Sequence, residues 1–184
     1  MNSPEFSKHI ETELYKARLY LAHKGYQNPE LLDLPAIYAL QSLTKEMSLN
    51  TIDEAVSGSF VDEIRAFTHE QLERAFQTAI VAVDNDVFRV HGPHAVVDLP
   101  GKIGLTPGVH FSPNRDQILQ AVRRYDAFTL GNDPYDEHDF GKVKVANQQY
   151  FFKIDYYDEH YRYGVDPRDE QAYRVMTVMR ADEY

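Results

Sequence analysis

The chain has no cysteine and no tryptophan among its 184 residues. Without cysteine there is no disulfide staple, no zinc–thiolate centre and no thiol nucleophile, a composition that suits a reducing cytoplasm. No apolar run approaches the ~20 residues that a membrane helix needs, so no membrane contact is expected. Residues 1–20 are charged and periodic, unlike a secretion signal. Basic residues are also short: 19 Lys and Arg stand against 29 Asp and Glu, a net charge of −10. That surplus repels nucleic-acid phosphates at long range and disfavours direct DNA or RNA binding. It favours a basic partner, and it also serves plain solubility.

Catalytic signatures are missing too. There is no nucleophile elbow, no phosphate-cradling glycine-rich loop and no expected helix with two histidines one turn apart. The "KID" at 153–155 has its lysine before the acid, the reverse of the restriction-nuclease order. His91 and His94 in "HGPH" sit among turn residues and read as structural.

Hydrophobic residues make up 43% of the chain, enough for a core. Ser3-Pro4 is a helix start, followed at helical spacing by Phe6, Ile10, Leu14, Ala17 and Leu21, with Gly25 as the stop. "NPELLDLP" reads as a turn-rich joint. A second helix is expected over Ala36–Met47 with Ile37, Leu40 and Leu43 on one face, another short one from Asn50-Thr51, and a break at residues 57–59. Thr68 and Gln71 have capping-box spacing and open a helix whose apolar face carries Leu72, Ala75, Phe76, Ala79, Ile80 and Val83. The polar "DND" at 84–86 is the expected end of that helix.

From residue 88 the pattern changes. "KIGLT" reads as a strand, "SPNRDQILQAVRRYDAF" as a helix with Ser112 or Asn114 as cap, and "FGKVKV" and "QYFFKIDYY" as a hairpin around residues 146–148. Alternation puts Tyr150, Phe152, Ile154 and Tyr156 on one face of the second strand and Phe151, Lys153, Asp155 and Tyr157 on the other. "AYRVMTVMR" adds a last strand. The expected class is α+β: a helical N-terminal region, residues 1–79, then a domain at 80–184 with a helix packed on a small antiparallel sheet.

Five blocks occur in order: "GKIGLTPGV", "AVRRYDAFT", "NDPYDEHDFG", "FFKIDYYD" and "RVMTVMRADEY". Together they resemble the bacterial family called domain of unknown function 3768, over a stretch from about Ile80 to Tyr184. Asp136 stands where the family pattern has Gly, Phe152 where it has Trp, and Arg180 where it has Leu. Asp tolerates the left-handed backbone better than most residues, so the turn at 136 can survive. The loop "YGVDPRDEQ" is shorter than in the family pattern. The resemblance implies a fold unit and a setting on plasmids or other mobile elements; it implies no activity. Residues 1–79 carry no resemblance.

"NDPYDEHDFG" packs Asp133, Asp136, Glu137, His138 and Asp139 together. Carboxylates and one imidazole could hold a divalent metal, but the spacing is not that of an EF-hand. The alternative is a turn, with Asn132 and Asp133 capping it before Pro134. Between Asp126 and Glu170 eleven acids face five bases, and nine of the thirteen tyrosines fall in the last sixty residues. Tyrosines among acids suit a protein interface, and equally a small core with a solvated face.

The reading that follows is a non-enzymatic, acidic interaction protein of a mobile element or phage, without cofactor or metal. Its partner is a basic protein or nucleoprotein complex of the host, such as a defence complex blocked in anti-CRISPR or antirestriction fashion. The contacts are assigned to Asp133, Asp136, Glu137, Asp139, Asp155, Tyr157, Asp158 and Glu159. A metal-dependent enzyme centred on residues 133–139 and a plasmid-maintenance regulator are the alternatives, and the sequence sets no oligomeric state.

Overall fold

The structure is a computed structural model that describes residues 3–50 and 68–184. The short helix expected from Asn50-Thr51 and the break at 57–59 lie outside the described side chains and residues. The chain divides into two compact units, Met1–Val83 and Asp84–Tyr184. No helix among the described residues is long and apolar enough to cross a membrane.

The first unit is helical. α1 spans Ser3–His23, α2 Pro29–Asn50, and α3 His69–His91 contributes its first part here. Gly25, at φ 98°, ends α1: Tyr26 donates its amide to the Leu21 carbonyl at 3.0 Å, the 6→1 bond that closes a helix at a left-handed residue. α2 begins earlier than the sequence suggests. Asn28 caps it through its side-chain oxygen, which accepts the Glu30 amide at 3.0 Å, and Pro29 occupies the first turn, where a missing N–H costs nothing. Pro35 removes one donor inside α2 without ending it. Its buried face is Pro35, Ala39 and Leu43, whereas Ile37 is exposed. Ala17, Ala39, Leu43, Leu72, Ala75, Phe76 and Ala79 form the core, and the small alanines let the helices approach closely. The capping box of α3 is present: Thr68 donates its amide to the Gln71 side chain at 2.9 Å, and Gln71 donates its own to the Thr68 hydroxyl at 3.2 Å.

The second unit is α+β. After the C-terminal part of α3 come β1 (Gly101–Leu105), the single-turn α4 (Pro107–His110), α5 (Arg115–Arg123), β2 (Phe140–Val145), β3 (Gln148–Tyr157), β4 (Tyr173–Arg180) and a closing 3-10 turn at Ala181–Glu183. The strand order is β1-β4-β3-β2. β2–β3 and β3–β4 are antiparallel as expected, but β1 joins β4 in parallel, so the sheet is mixed. Gly101 permits that start: with φ 153°, a Cβ there would fall 2.0 Å from the Arg174 carbonyl oxygen. The β2–β3 turn is the two residues Ala146 and Asn147, at φ 48° and 62°, the left-handed pair whose twist matches a hairpin.

Alternation along β3 is as the sequence suggests. Tyr150, Phe152 and Ile154 are buried, together with Met176 and Val178 of β4, Ile118 and Val122 of α5, and Phe88 of α3. A fully buried Phe such as Phe88 or Phe152 contributes roughly 2–3 kcal/mol of hydrophobic stabilisation. The facing residues Phe151, Lys153, Asp155 and Tyr157 are only half-buried.

Candidate functional site

The helix does not stop at "DND". α3 runs on to His91, because these polar residues are internal anchors and not a solvent-facing turn. Asp84, Asn85 and Arg89 are buried. Asp84 accepts from Arg174 of β4 at 3.0 Å, and Asn85 accepts from the same guanidinium at 3.0 Å. Asn85 then donates its amide nitrogen to the Tyr156 hydroxyl at 2.5 Å and to the Glu137 carbonyl at 2.7 Å. One side chain thereby joins helix, sheet and the 132–139 loop.

The next anchor is Asp86. One carboxylate oxygen accepts from Arg89 at 2.5 Å, and the other meets His138 Nδ1 at 2.9 Å. Arg89 also donates to the Val122 and Arg123 carbonyls at 2.8 and 3.0 Å, placing a cation at the negative C-terminal end of α5. Its guanidinium lies over the rings of Phe128 and Phe152. The His138 ring stacks on Phe128 with centroids 3.8 Å apart and planes 2° from parallel.

Asp133 holds the loop from inside. It is fully buried, and its carboxylate accepts the amides of Glu137 at 2.9 Å and His138 at 3.2 Å. Asp136 and His138 adopt φ 55° and 57°, so Asp136 supplies the left-handed turn that the resembling pattern fills with Gly. His138 Nε2 stands 3.9 Å from Asp133, on the opposite edge of the ring from Asp86. With its two nitrogens turned to two different carboxylates, the imidazole cannot gather both onto one ion. Among the described residues no three His, Asp or Glu side chains form a metal-binding group.

The electrostatics follow from this packing. Burial raises the Asp133 carboxyl above its ordinary range. Burial, then the neighbouring Asp139 and Asp133, lifts Glu137 to about 7. Burial and Asp133 lift Asp139 to about 6. Burial opposes ionisation of Asp86 as well, but the hydrogen bond and charge of His138, with Arg89, bring it below its ordinary value.

The eight residues singled out from the sequence therefore part company. Asp133 is turned inward, so its carboxylate is not on the surface: it is consumed by the loop amides. Asp158 organises the next loop, accepting the Arg162 amide at 2.7 Å, and Asp155 pairs with Lys153 at 2.6 Å. Asp136, Glu137, Asp139 and Tyr157 are half-buried, and Glu159 is exposed. The fields acting on Glu137 include Asp139 of its own loop and Asp166 and Arg168 of the 158–172 loop, so the two loops share one electrostatic neighbourhood. The tyrosines divide in the same way. Tyr150 is core, whereas Tyr135 and Tyr163 are 75% and 73% exposed at the tips of these two loops.

Asp84, Asn85, Asp86, Arg89, Phe128 and Arg174 were not legible as a network. Two signals point to part of it. Val87 and Phe88 continue the helical spacing beyond "DND", and strict alternation along Ala172, Arg174, Met176 and Val178 turns Arg174 inward.

No curated protein and no solved structure matches the chain. The matching family model begins at residue 105, later than the start near Ile80 that the resemblance implied. Residues 105–183, the C-terminal part of the chain, match the family described as Protein of unknown function (DUF3768), a stretch that takes in the loop around Asp133 and the hairpin that follows it.

Proposed function

We propose that the second unit is a protein-interaction module that engages a basic surface through its two acidic, tyrosine-tipped loops, residues 132–139 and 158–170. The observation that carries this reading is the exposure of Tyr135 and Tyr163 on loops that also present Glu159, Asp166, Asp169 and Glu170 to solvent. Exposed tyrosines offer large contact area at low entropic cost, and surrounding carboxylates select Lys- and Arg-rich partners. Of the residues assigned from the sequence, Asp136, Glu137, Asp139, Asp158 and Glu159 lie on these loops and Asp155 and Tyr157 on the adjoining end of β3, while Asp133 supports the first loop from within.

A basic surface of this kind is what a nucleic-acid-handling complex presents to phosphate. The specific form of the reading is occupation of such a surface on a host defence complex, in the cytoplasm, by a mobile-element protein of anti-CRISPR or antirestriction type. Its support is the charge and the loop chemistry; the family's description names no activity. Reversing Glu159, Asp169 and Glu170 to Lys tests it, since all three are exposed; Asp169 also accepts the Gln171 amide at 3.0 Å, so folding of the variant is checked alongside. The expected result is loss of partner binding by a variant that still unfolds cooperatively; binding retained by the folded triple variant contradicts it.

A further inference from the structure

A second feature lies away from these loops. Between β2 and the segment 125–132 is an open cleft of about 530 Å³, within the size range of small-molecule sites. Phe140 and Lys142 of β2 and Phe151 of β3 line it on the sheet side. Lys142 and Phe151 are register partners, so they stand side by side on the same face. Tyr125, Thr129 and Asn132 line the other side.

The loop wall is held in place before any ligand arrives. Gly141 has no Cβ, and one built there would meet Tyr125 at 2.6 Å, so Tyr125 lies directly against the strand. The Tyr125 hydroxyl donates to the Ala127 carbonyl at 2.8 Å and accepts from the Asn132 amide. The Asn132 oxygen accepts from the Thr129 amide and hydroxyl at 2.7 and 2.8 Å. The polar atoms of the loop are thereby engaged with one another. The sheet side presents the rings of Phe140 and Phe151 and the Lys142 side chain, which is exposed and has no ion partner among the described residues. No carboxylate among the described residues lines the cleft.

We propose that this cleft binds a small planar aromatic anion, its ring laid on Phe140 and Phe151 and its charge met by Lys142 between them, with Tyr125 closing the far side of the strand edge. Two neighbouring rings with centroids 5.5 Å apart favour a flat aromatic guest over an aliphatic one. An unpaired ammonium beside a carboxylate-free cleft admits an anion that the rest of a −10 chain repels.

The test is an amide NMR titration of the full chain with 1-naphthyl phosphate, with 1-naphthol and inorganic phosphate as separate probes. Saturable shifts confined to residues 125–132, 140–142 and 151 are expected with naphthyl phosphate, and much weaker ones with either half alone. Lys142→Glu is expected to weaken binding roughly fivefold or more, and Lys144→Glu, the same charge change outside the cleft lining, to leave it close to wild type. Shifts that do not saturate, equal binding of 1-naphthol, or equal loss in both lysine variants would each overturn the proposal.

Discussion

His138 Nδ1 and the Asp86 carboxylate lie 2.9 Å apart across 52 residues of chain, and this contact fastens the 132–139 loop to α3. The same ring is stacked on Phe128 and faces Asp133 on its far edge. Removing it leaves Asp86 buried beside Arg89 with one partner fewer. His138→Ala is expected to cost about 2 kcal/mol in urea unfolding, the scale of a lost buried, charge-assisted contact. Amide exchange at Glu137 and His138 should accelerate in the variant. A variant as stable as wild type, with those amides still protected, would show that Asp133 and Asn85 hold the loop without His138.

Arg174 is buried with Asp84 and Asn85 as its partners, 90 residues from Asp84 in sequence. Arg174→Met strands the Asp84 charge in the interior, and the expected cost is about 3–5 kcal/mol. Pairing it with Asp84→Leu removes the stranded charge and should recover much of the loss. Chemical denaturation of the two singles and the double variant gives the coupling directly. Additive losses would mean that the two groups do not act as a pair.

Much of the fold is legible from the chain because it is locally determined. The Thr68–Gln71 cap, the Ala146-Asn147 turn and the alternation of Tyr150, Phe152 and Ile154 each need only neighbouring residues. The missed features depend on distant ones. "DND" looks like a helix end until Arg174 and His138 arrive to satisfy it. The parallel pairing of β1 with β4 is a non-local match that no short pattern encodes. Asp133 has the composition of a surface acid, and only the amides of Glu137 and His138 reveal it as the inner support of its own loop. The acidic neighbourhood was therefore visible in sequence, but which of its carboxylates face outward was not.

Glu137 and Asp139 carry carboxyls raised to about 7 and about 6 from ordinary values of 4.5 and 3.8. Between those limits the folded state holds more protons than the unfolded state, so stability falls as pH rises. Their contribution is fully present below about pH 4 and lost as pH passes through 6 and 7. Asp133 is raised in the same direction, while the lowered Asp86 acts in the opposite sense only below its ordinary 3.8. Unfolding free energy should therefore be greater at pH 5 than at pH 8, and Glu137→Gln with Asp139→Asn should flatten the profile and stabilise the protein at pH 8. An equally steep profile in the double variant would remove these two groups as its cause.

Ala146 holds φ 48° at the first turn position of the hairpin, a conformation that costs a residue bearing a Cβ. Ala146→Gly is expected to stabilise the protein by about 1 kcal/mol, the relief of left-handed strain exceeding the added freedom of the unfolded chain. Thermal melts of the two proteins check the sign. A lower melting temperature for the glycine variant would show that the unfolded-state entropy dominates.

Capture of a partner from lysate separates a basic-surface binder from an inert acidic domain. The wild-type chain and the Glu159→Lys, Asp169→Lys, Glu170→Lys variant are immobilised in parallel, exposed to nuclease-treated host lysate, and the retained proteins identified by mass spectrometry. Wild type is expected to retain a basic, nucleic-acid-handling protein or complex which the folded variant does not. Retention of the same proteins by both, or of none with basic surfaces by wild type, would contradict it.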